Sequence, residues 1–405
     1  VNSDLKFLEK LDHAWDGATE GLCVQAFSRG KKVIDVEIGK TYKYYDWASL
    51  TKIVFSTTAW MLLYDEKSSE KSSEKSSEKS SEKSSEKSSE KSSDRANARV
   101  TADANDRGNK LSFLTDYVYE HVPWFPVESE ARLKNLLSHS AGLTWWYPFF
   151  KSVAPKTKGL SPEEAWLVFE KALSQRIRSD FKKQLPDLKT VPATYSDLDF
   201  FVLGSALQEM TQASLLENWK KVAERVGFEK SGFSVGNEPR FKKSQYAPTE
   251  TCLWRGETMQ GKVHDENAWS LKGVAPHAGL FGPINELSQW GLLLRRAMRG
   301  ESTQKRFASH ATTKLFTTRS VPARRGDWAL GFMMPSKNAS SAGRYMSLKS
   351  VGHTGFTGTS LWYDPVRDVL IVVLSNRVYP TRENKKFVAL RAQLHDWVNE
   401  SIVHK

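Results

Sequence analysis

The stretch that decides the fold is Ser49-Leu50-Thr51-Lys52 followed by Ile53-Val54-Phe55-Ser56-Thr57-Thr58-Ala59-Trp60-Met61-Leu62-Leu63-Tyr64. Residues 53–64 are apolar on nearly every side, and a helix of that kind belongs inside a protein. Ser49 stands at its start, after the aromatic extended run from Tyr42 to Trp47. On a helix, positions three apart share a face, so Lys52 reaches the Ser49 hydroxyl. The helix N-terminus favours negative charge developing at Ser49. Burial desolvates Lys52 and lowers its proton affinity, which lets it act as a base. A plain reading competes with this one: Ser is a common helix cap and Lys is ordinary on a first turn.

Outward from this helix, the N-terminal side reads as a helix over 5–15, with Leu5, Leu8, Leu11 and Trp15 as its apolar stripe. A β-hairpin follows: Gly21 to Phe27, a turn at Ser28-Arg29-Gly30-Lys31, then Val33 to Ile38. On the C-terminal side, residues 66–93 are seven copies of Glu-Lys-Ser-Ser. This tract has no apolar residue to bury and reads as a solvated tract or a marginal exposed helix, in which each Lys meets a Glu three positions on. Residues 94–110 stay polar, and order is expected to resume near Leu111.

Residues 131–225 read as mostly helical, with stops at Gly142 and Pro155. The chain then returns to strands at 360–363 and 369–374 around a turn at 364–368, and closes on a helix over 384–402. Strands at both ends and helices between imply an α/β (α+β) fold, an antiparallel sheet flanked by helices with an all-helical lobe inserted. The expected division is 1–55 and 285–405 for the sheet lobe and 56–284 for the helical one.

Two further elements carry chemistry. Tyr195-Ser196-Asp197 precedes the helical run Phe200 to Gly204, and a buried Tyr beside a Lys is placed to lose proton affinity and serve as base or relay. His353-Thr354-Gly355 precedes the strand of Leu361, where a Gly lets backbone approach a substrate closely. Each element alone is weak; the repeat itself generates decoys such as Ser68 with Lys71. Their order and spacing are specific.

In that order the three elements resemble the S-x-x-K, Y-x-N or Y-S-D, and K-T-G or H-T-G motifs of the class C β-lactamase-related serine hydrolases and penicillin-binding proteins. That group includes DD-carboxypeptidases and some esterases. Leu136 to Leu143, His264 to Ala268 with Gly279-Leu280-Phe281, and Leu374 to Arg377 match further stretches of the group. The resemblance covers nearly the whole chain except about 65–110.

It implies that Ser49 forms an acyl-enzyme while Lys52 and Tyr195 handle its proton. The oxyanion is expected between the N–H groups of Ser49 and Phe356. Thr354 is expected to line the carboxylate side of the pocket, and His353, where many β-lactamases carry Lys, to contribute less positive potential. Asp197 departs from the Asn that donates to a substrate amide, since ionised Asp only accepts. It is left to pair with Lys52 or with a substrate ammonium.

The implied substrate is a D-Ala-D-Ala-like peptide, a β-lactam or an ester. A carboxylesterase and an inactive cell-wall peptide-binding homologue are the alternatives. No cofactor is implied. His264, Asp265 and Glu266 lack the H-E-x-x-H spacing of a metal site and read as a hydrogen-bonded turn near the cleft. His139 and His277 read as structural histidines, and Glu250, Trp254 and Arg255 as a loop over the site.

The formal net charge of +12 is scattered, with no basic block and no nucleic-acid-binding signature, so nucleic acid is not expected as a partner. Cys23 and Cys252 make neither a disulfide scaffold nor a metal site. No run reaches the ~20 apolar residues of a membrane span. No signal peptide opens the sequence, and a periplasmic or secreted monomer is the expectation.

Overall fold

The structure is a computed structural model that describes residues 3–70, 113–338 and 340–402. Most of the Glu-Lys-Ser-Ser tract, and Leu111, lie outside the described residues. The strands are β1 (Gly21–Ser28), β2 (Lys31–Gly39), β3 (Tyr45–Asp46), β4 (Gly232–Phe233), β5 (Pro248–Cys252), β6 (Glu257–Gln260), β7 (Leu280–Gly282), β8 (Val351–Thr354), β9 (Ser360–Asp364) and β10 (Val369–Ser375).

The main sheet has the order β2-β1-β10-β9-β8 and is antiparallel throughout. It joins the two ends of the chain: Val24 of β1 lies opposite Val373 of β10. The two-residue turn of the β1–β2 hairpin needs left-handed backbone at both positions. Arg29 (φ 52°) and Gly30 (φ 77°) supply it.

Alternation along the strands feeds two cores. Leu22, Val24 and Ala26 of β1, with Ile371 and Val373 of β10, face the first helix (Ser3–Leu11) and the last (Lys386–Ile402). Cys23, Leu370, Val372 and Leu374 face the opposite way, into the large core that holds the helix after Ser49. Both faces are covered, so the central strands are apolar nearly throughout. Edge strand β2 is not: Ile34 and Val36 are buried, while Asp35 and Glu37 between them are exposed.

The first helix corrects the stripe expected for it. Phe7 and Leu11, one turn apart, are buried with Ser3, whereas Leu5 and Leu8 are exposed. Spacing by four, through an aromatic the expected stripe omitted, decides which face meets the sheet. The closing helix docks through Phe387, Leu390, Leu394 and Val398. The middle of the chain also holds short strands that the sequence pattern did not show: a three-stranded sheet β3-β7-β4 and the hairpin β5–β6. Two or three residues are too few for alternation to be visible.

Residues 50–70 are helical, with a π-helical stretch at Lys52–Thr57. Its buried run extends across 50–61, as an all-apolar helix requires. At its far end the first residues of the repeat are exposed, and Lys67 meets Glu70 at 3.3 Å. No described helix is long and apolar enough to cross a membrane.

Candidate active site

β3 delivers the chain to Ser49. Asp46 is buried, and its carboxylate accepts from the N–H of Ala48 and the N–H of His264, both at 2.8 Å. Burial raises the proton affinity of this carboxyl. Ala48 sits in left-handed backbone at φ 47°, an uncommon state for a residue with a Cβ. This turn throws Ser49 out ahead of the helix. The Lys52 N–H bonds back to the Ser49 carbonyl at 3.1 Å, and the π-helical stretch begins there, so both side chains stay on one face. Such stretches are frequent at functional sites.

Lys52 is fully buried. Its Nζ donates to Ser49 Oγ (3.2 Å), Asp197 Oδ1 (2.8 Å) and the His277 carbonyl (3.2 Å). Burial lowers its proton affinity, and Asp197 works in the opposite direction. Asp197 is thus one of the two alternatives the sequence left open, the lysine's partner.

Tyr195 Oη lies 2.7 Å from Ser49 Oγ. Its ring packs between Trp328 (6.0 Å, stacked) and His139 (5.2 Å), with Lys52 Nζ 4.9 Å from its centroid. The expectation that this Tyr loses proton affinity is corrected. Desolvation, followed by the Asp197 charge, raises it well above the usual phenol range. Tyr195 is therefore a neutral phenol at rest.

The helix Asp197–Thr211 holds the Tyr195–Asp197 segment. Ser196 caps it by accepting from the Asp199 N–H at 3.3 Å. Behind the cap, His139 Nδ1 lies 2.8 Å from Asp199 Oδ2 and accepts from the Ser196 N–H at 3.2 Å. A nitrogen that already accepts leaves the proton of the pair on Asp199, in keeping with burial raising that carboxyl and lowering the imidazole. His277 Nε2 pairs with Asp265 Oδ1 at 3.0 Å, and that carboxylate stays low, helped by the imidazole and the Ala268 N–H.

Edge strand β8 forms the other wall; His353 and Thr354 end it and precede β9, the strand of Leu361, as expected. His353 is buried and is pushed down to about 3, first by desolvation and then by Lys52. A neutral ring donates from Nδ1 to the Thr354 carbonyl at 2.8 Å, which leaves Nε2 a lone pair with no partner among the described residues. Gly355 is required by space. A Cβ there would collide with Thr359 Oγ1 and lie 2.7 Å from the Trp47 carbonyl. Thr357 and Thr359 donate to the carbonyls of Asp46 and Trp47 at 2.7 and 3.1 Å, tying this turn to the approach of Ser49. Phe356 is half-exposed, stacked on His264 and flanked by Arg377.

Ser49, Lys52, Tyr195 and Asp197 thus form one hydrogen-bonded group, with the His353 ring 5.8 Å from that of Tyr195, while Thr354 Oγ1 reaches Met333 Sδ at 3.9 Å. The turn residues His264, Asp265 and Glu266 go three ways: to Glu250 (3.1 Å), to His277, and to Arg382 (2.6 Å). Glu250 is held by Arg382 as well, and Trp254 rests on Phe150 and Trp269. Ligand atoms of Asp197, Asp265 and His277 come within 4.8 Å of one another. The Lys52 amine already bonds both Asp197 and the His277 carbonyl, so its N–H donors take the place a cation would fill there. Sequence reading missed Asp199, Trp328 and the anchoring His277 carbonyl, none of which has a local signature.

A family model described as Beta-lactamase matches residues 10–395. A Salmonella typhi protein named "Putative D-alanyl-D-alanine carboxypeptidase" is 30% identical over 329 residues, covering 71% of this chain and 70% of that one. A penicillin-binding protein homologue from Caulobacter crescentus has a TM-score of 0.56 at 14% identity, covering 99% of this chain and 98% of that one. EstCE1, titled a hydrolase with promiscuous acyltransferase activity, has a TM-score of 0.59 at 13% identity, covering 97% of this chain and all (100%) of that one. At such identities the two structures share the fold.

Proposed function

The chain belongs to the Beta-lactamase family, and from that premise we propose that it is a serine hydrolase working through an acyl-enzyme on Ser49. The observation that supports this most is a single contact set: Ser49 Oγ with Tyr195 Oη at 2.7 Å and Lys52 Nζ at 3.2 Å. As Ser49 attacks a carbonyl carbon, its proton passes to Lys52 in the neutral amine form, which desolvation favours. Tyr195 keeps its proton at rest and hands it to the leaving group. The N–H groups of Ser49 and Phe356, which have no acceptor among the described residues, receive the oxyanion. Water then releases the acyl group by the reverse proton path.

The preferred substrate is a peptide ending in D-Ala-D-Ala. Thr354 takes the carboxylate side of the pocket, and the relative's name points to the same chemistry. Such a substrate places the enzyme in the periplasm or outside the cell. Asp197 favours a second reading. Its carboxylate is committed to Lys52 and offers no donor to a substrate amide, which suits an ester better than an acylamide. The complete set of Ser49, Lys52 and Tyr195 weighs against a homologue that only holds cell-wall peptides. The test compares D-Ala release from a D-Ala-D-Ala-ended peptide with hydrolysis of p-nitrophenyl butyrate, using Ser49→Ala as the blank. Faster turnover of the peptide supports the first reading, faster turnover of the ester the second, and equal activity of Ser49→Ala on both defeats the proposal.

A further inference from the structure

Arg391 lies on the closing helix Lys386–Ile402 and is 9% exposed. Among the described residues it has no carboxylate partner, and the one charge acting on it is that of Arg377. Its Nη1 donates to two backbone carbonyls, Gly355 at 2.9 Å and Thr359 at 3.1 Å, and its Nε has no partner. A buried guanidinium without a counter-charge is costly. The Gly355 carbonyl it touches belongs to the same peptide group as the Phe356 N–H. In a trans peptide the two point in opposite directions, so that N–H faces away from Arg391. On the other side, Gly355 packs against Trp47 and Ala48, directly before the nucleophile.

We propose that Arg391 is a positioning residue that polarises the Gly355–Phe356 peptide, strengthening the Phe356 N–H as an oxyanion donor and fixing its direction. Resting on the acyl-enzyme reading above, the inference follows from the electronics of the amide. A fixed positive charge on the carbonyl oxygen draws electron density from the nitrogen, and hydrogen bonds in series strengthen one another. The Gly358 N–H, which donates to the same oxygen at 3.1 Å, adds in the same sense. Gly355 N–H bonds to the Thr359 carbonyl at 2.7 Å, so the two bonds from Arg391 Nη1 close a turn whose ends they hold at once. Burial lowers the proton affinity of the guanidinium only to about 10, so it remains charged at neutral pH.

The test uses phenylboronic acid. Its boron bonds to Ser49 Oγ, the Ser49 proton passes to the Lys52–Tyr195 pair, and one boron-bound oxygen occupies the oxyanion position. Removing a whole oxyanion donor costs about 10²–10³-fold, so weakening one should cost ~10-fold. Arg391→Gln, which keeps a neutral donor, is expected to raise the inhibition constant of phenylboronic acid ~10-fold and lower kcat for p-nitrophenyl butyrate about equally, with KM nearly unchanged. Arg391→Lys, which keeps the charge, should recover most of both. An Arg391→Gln variant that binds the boronic acid as the parent does overturns the inference. So does loss in Arg391→Lys equal to that in Arg391→Gln, since the fork's shape would then be all that matters. If Arg391→Gln does not fold, Arg391→Lys decides alone: a loss of ~10-fold or more defeats the role of charge. A parent that forms no tetrahedral boronate by ¹¹B NMR fails the acyl-enzyme reading itself, a different result from any of these.

Discussion

Two buried cations flank the nucleophile, and they are handled differently. Lys52 has a carboxylate at 2.8 Å, yet burial still lowers its hold on its proton. Arg391 has only carbonyls for company and keeps its charge. A lysine in such a place is able to give and take a proton; an arginine is not, and acts as a fixed charge. Placing Asp197 beside the first tunes a group that must change state during the reaction. Leaving the second without a carboxylate turns its N–H groups to the carbonyls of Gly355 and Thr359, the first of them in the Phe356 peptide. On this account one cation moves protons on the Ser49 side and the other holds the oxyanion side still.

The largest effect should come from Lys52. Lys52→Ala is expected to slow acylation by ~10²-fold or more, measured as stopped-flow adduct formation on protein shown to be folded by circular dichroism. The change also strands the Asp197 carboxylate, so Lys52→Ala with Asp197→Asn should regain stability but not rate. Tyr195→Phe keeps the stacked ring and removes only Oη. It should slow the reaction somewhat less, and most where the leaving group needs a proton: the loss should be larger for a peptide than for a p-nitrophenyl ester. Equal losses on the two would mean that Tyr195 serves only Ser49.

A smaller effect should sharpen the comparison from the side of Asp197. Removing the anion takes away what raises Lys52, so the free amine persists to lower pH. The acid limb of kcat/KM in Asp197→Asn should therefore move to lower pH than in the parent. An unmoved limb, or one shifted upward, would show that the pair does not set the charge of Lys52.

The smallest effect concerns His353. Folded, it binds a proton only near pH 3, against 6.5 for an ordinary imidazole. The unfolded chain is protonated first as pH falls, so its stabilising contribution is whole above about 6.5 and is lost on the way to 3. His139 and His395 act in the same sense, while Asp199, with its raised affinity, acts against them. His353→Gln should accordingly flatten, not abolish, the fall of the thermal midpoint between pH 7 and 4. An unchanged slope would mean that His353 titrates normally.

Much of this was legible in the residues. The β1–β2 hairpin announces itself through Arg29-Gly30, and the helix after Ser49 through its lack of a polar face. The site elements were found because Ser49, Tyr195 and His353 stand in a specific order. What failed was of another kind. The first helix was given the wrong stripe because Leu5 and Leu8 look as apolar as Phe7, and only the sheet beneath decides between them. The pairing of Tyr195 with a nearby Lys suggests a lowered proton affinity, but the desolvation of its phenol and the Asp197 charge, which only the fold supplies, raise it. Arg391 has no local mark at all: on a helix of mixed charge, its task depends on which carbonyls the fold brings to it, 32 and 36 residues away in sequence.

The most direct measurement of the central claim is intact-mass analysis after treatment with a fluorophosphonate, followed by peptide mapping. The account predicts a single adduct, carried by Ser49 and absent from Ser49→Ala, formed ~10²-fold or more slowly in Lys52→Ala. An adduct on another residue with Ser49 unmodified, or equal labelling of the parent and Ser49→Ala, would contradict it.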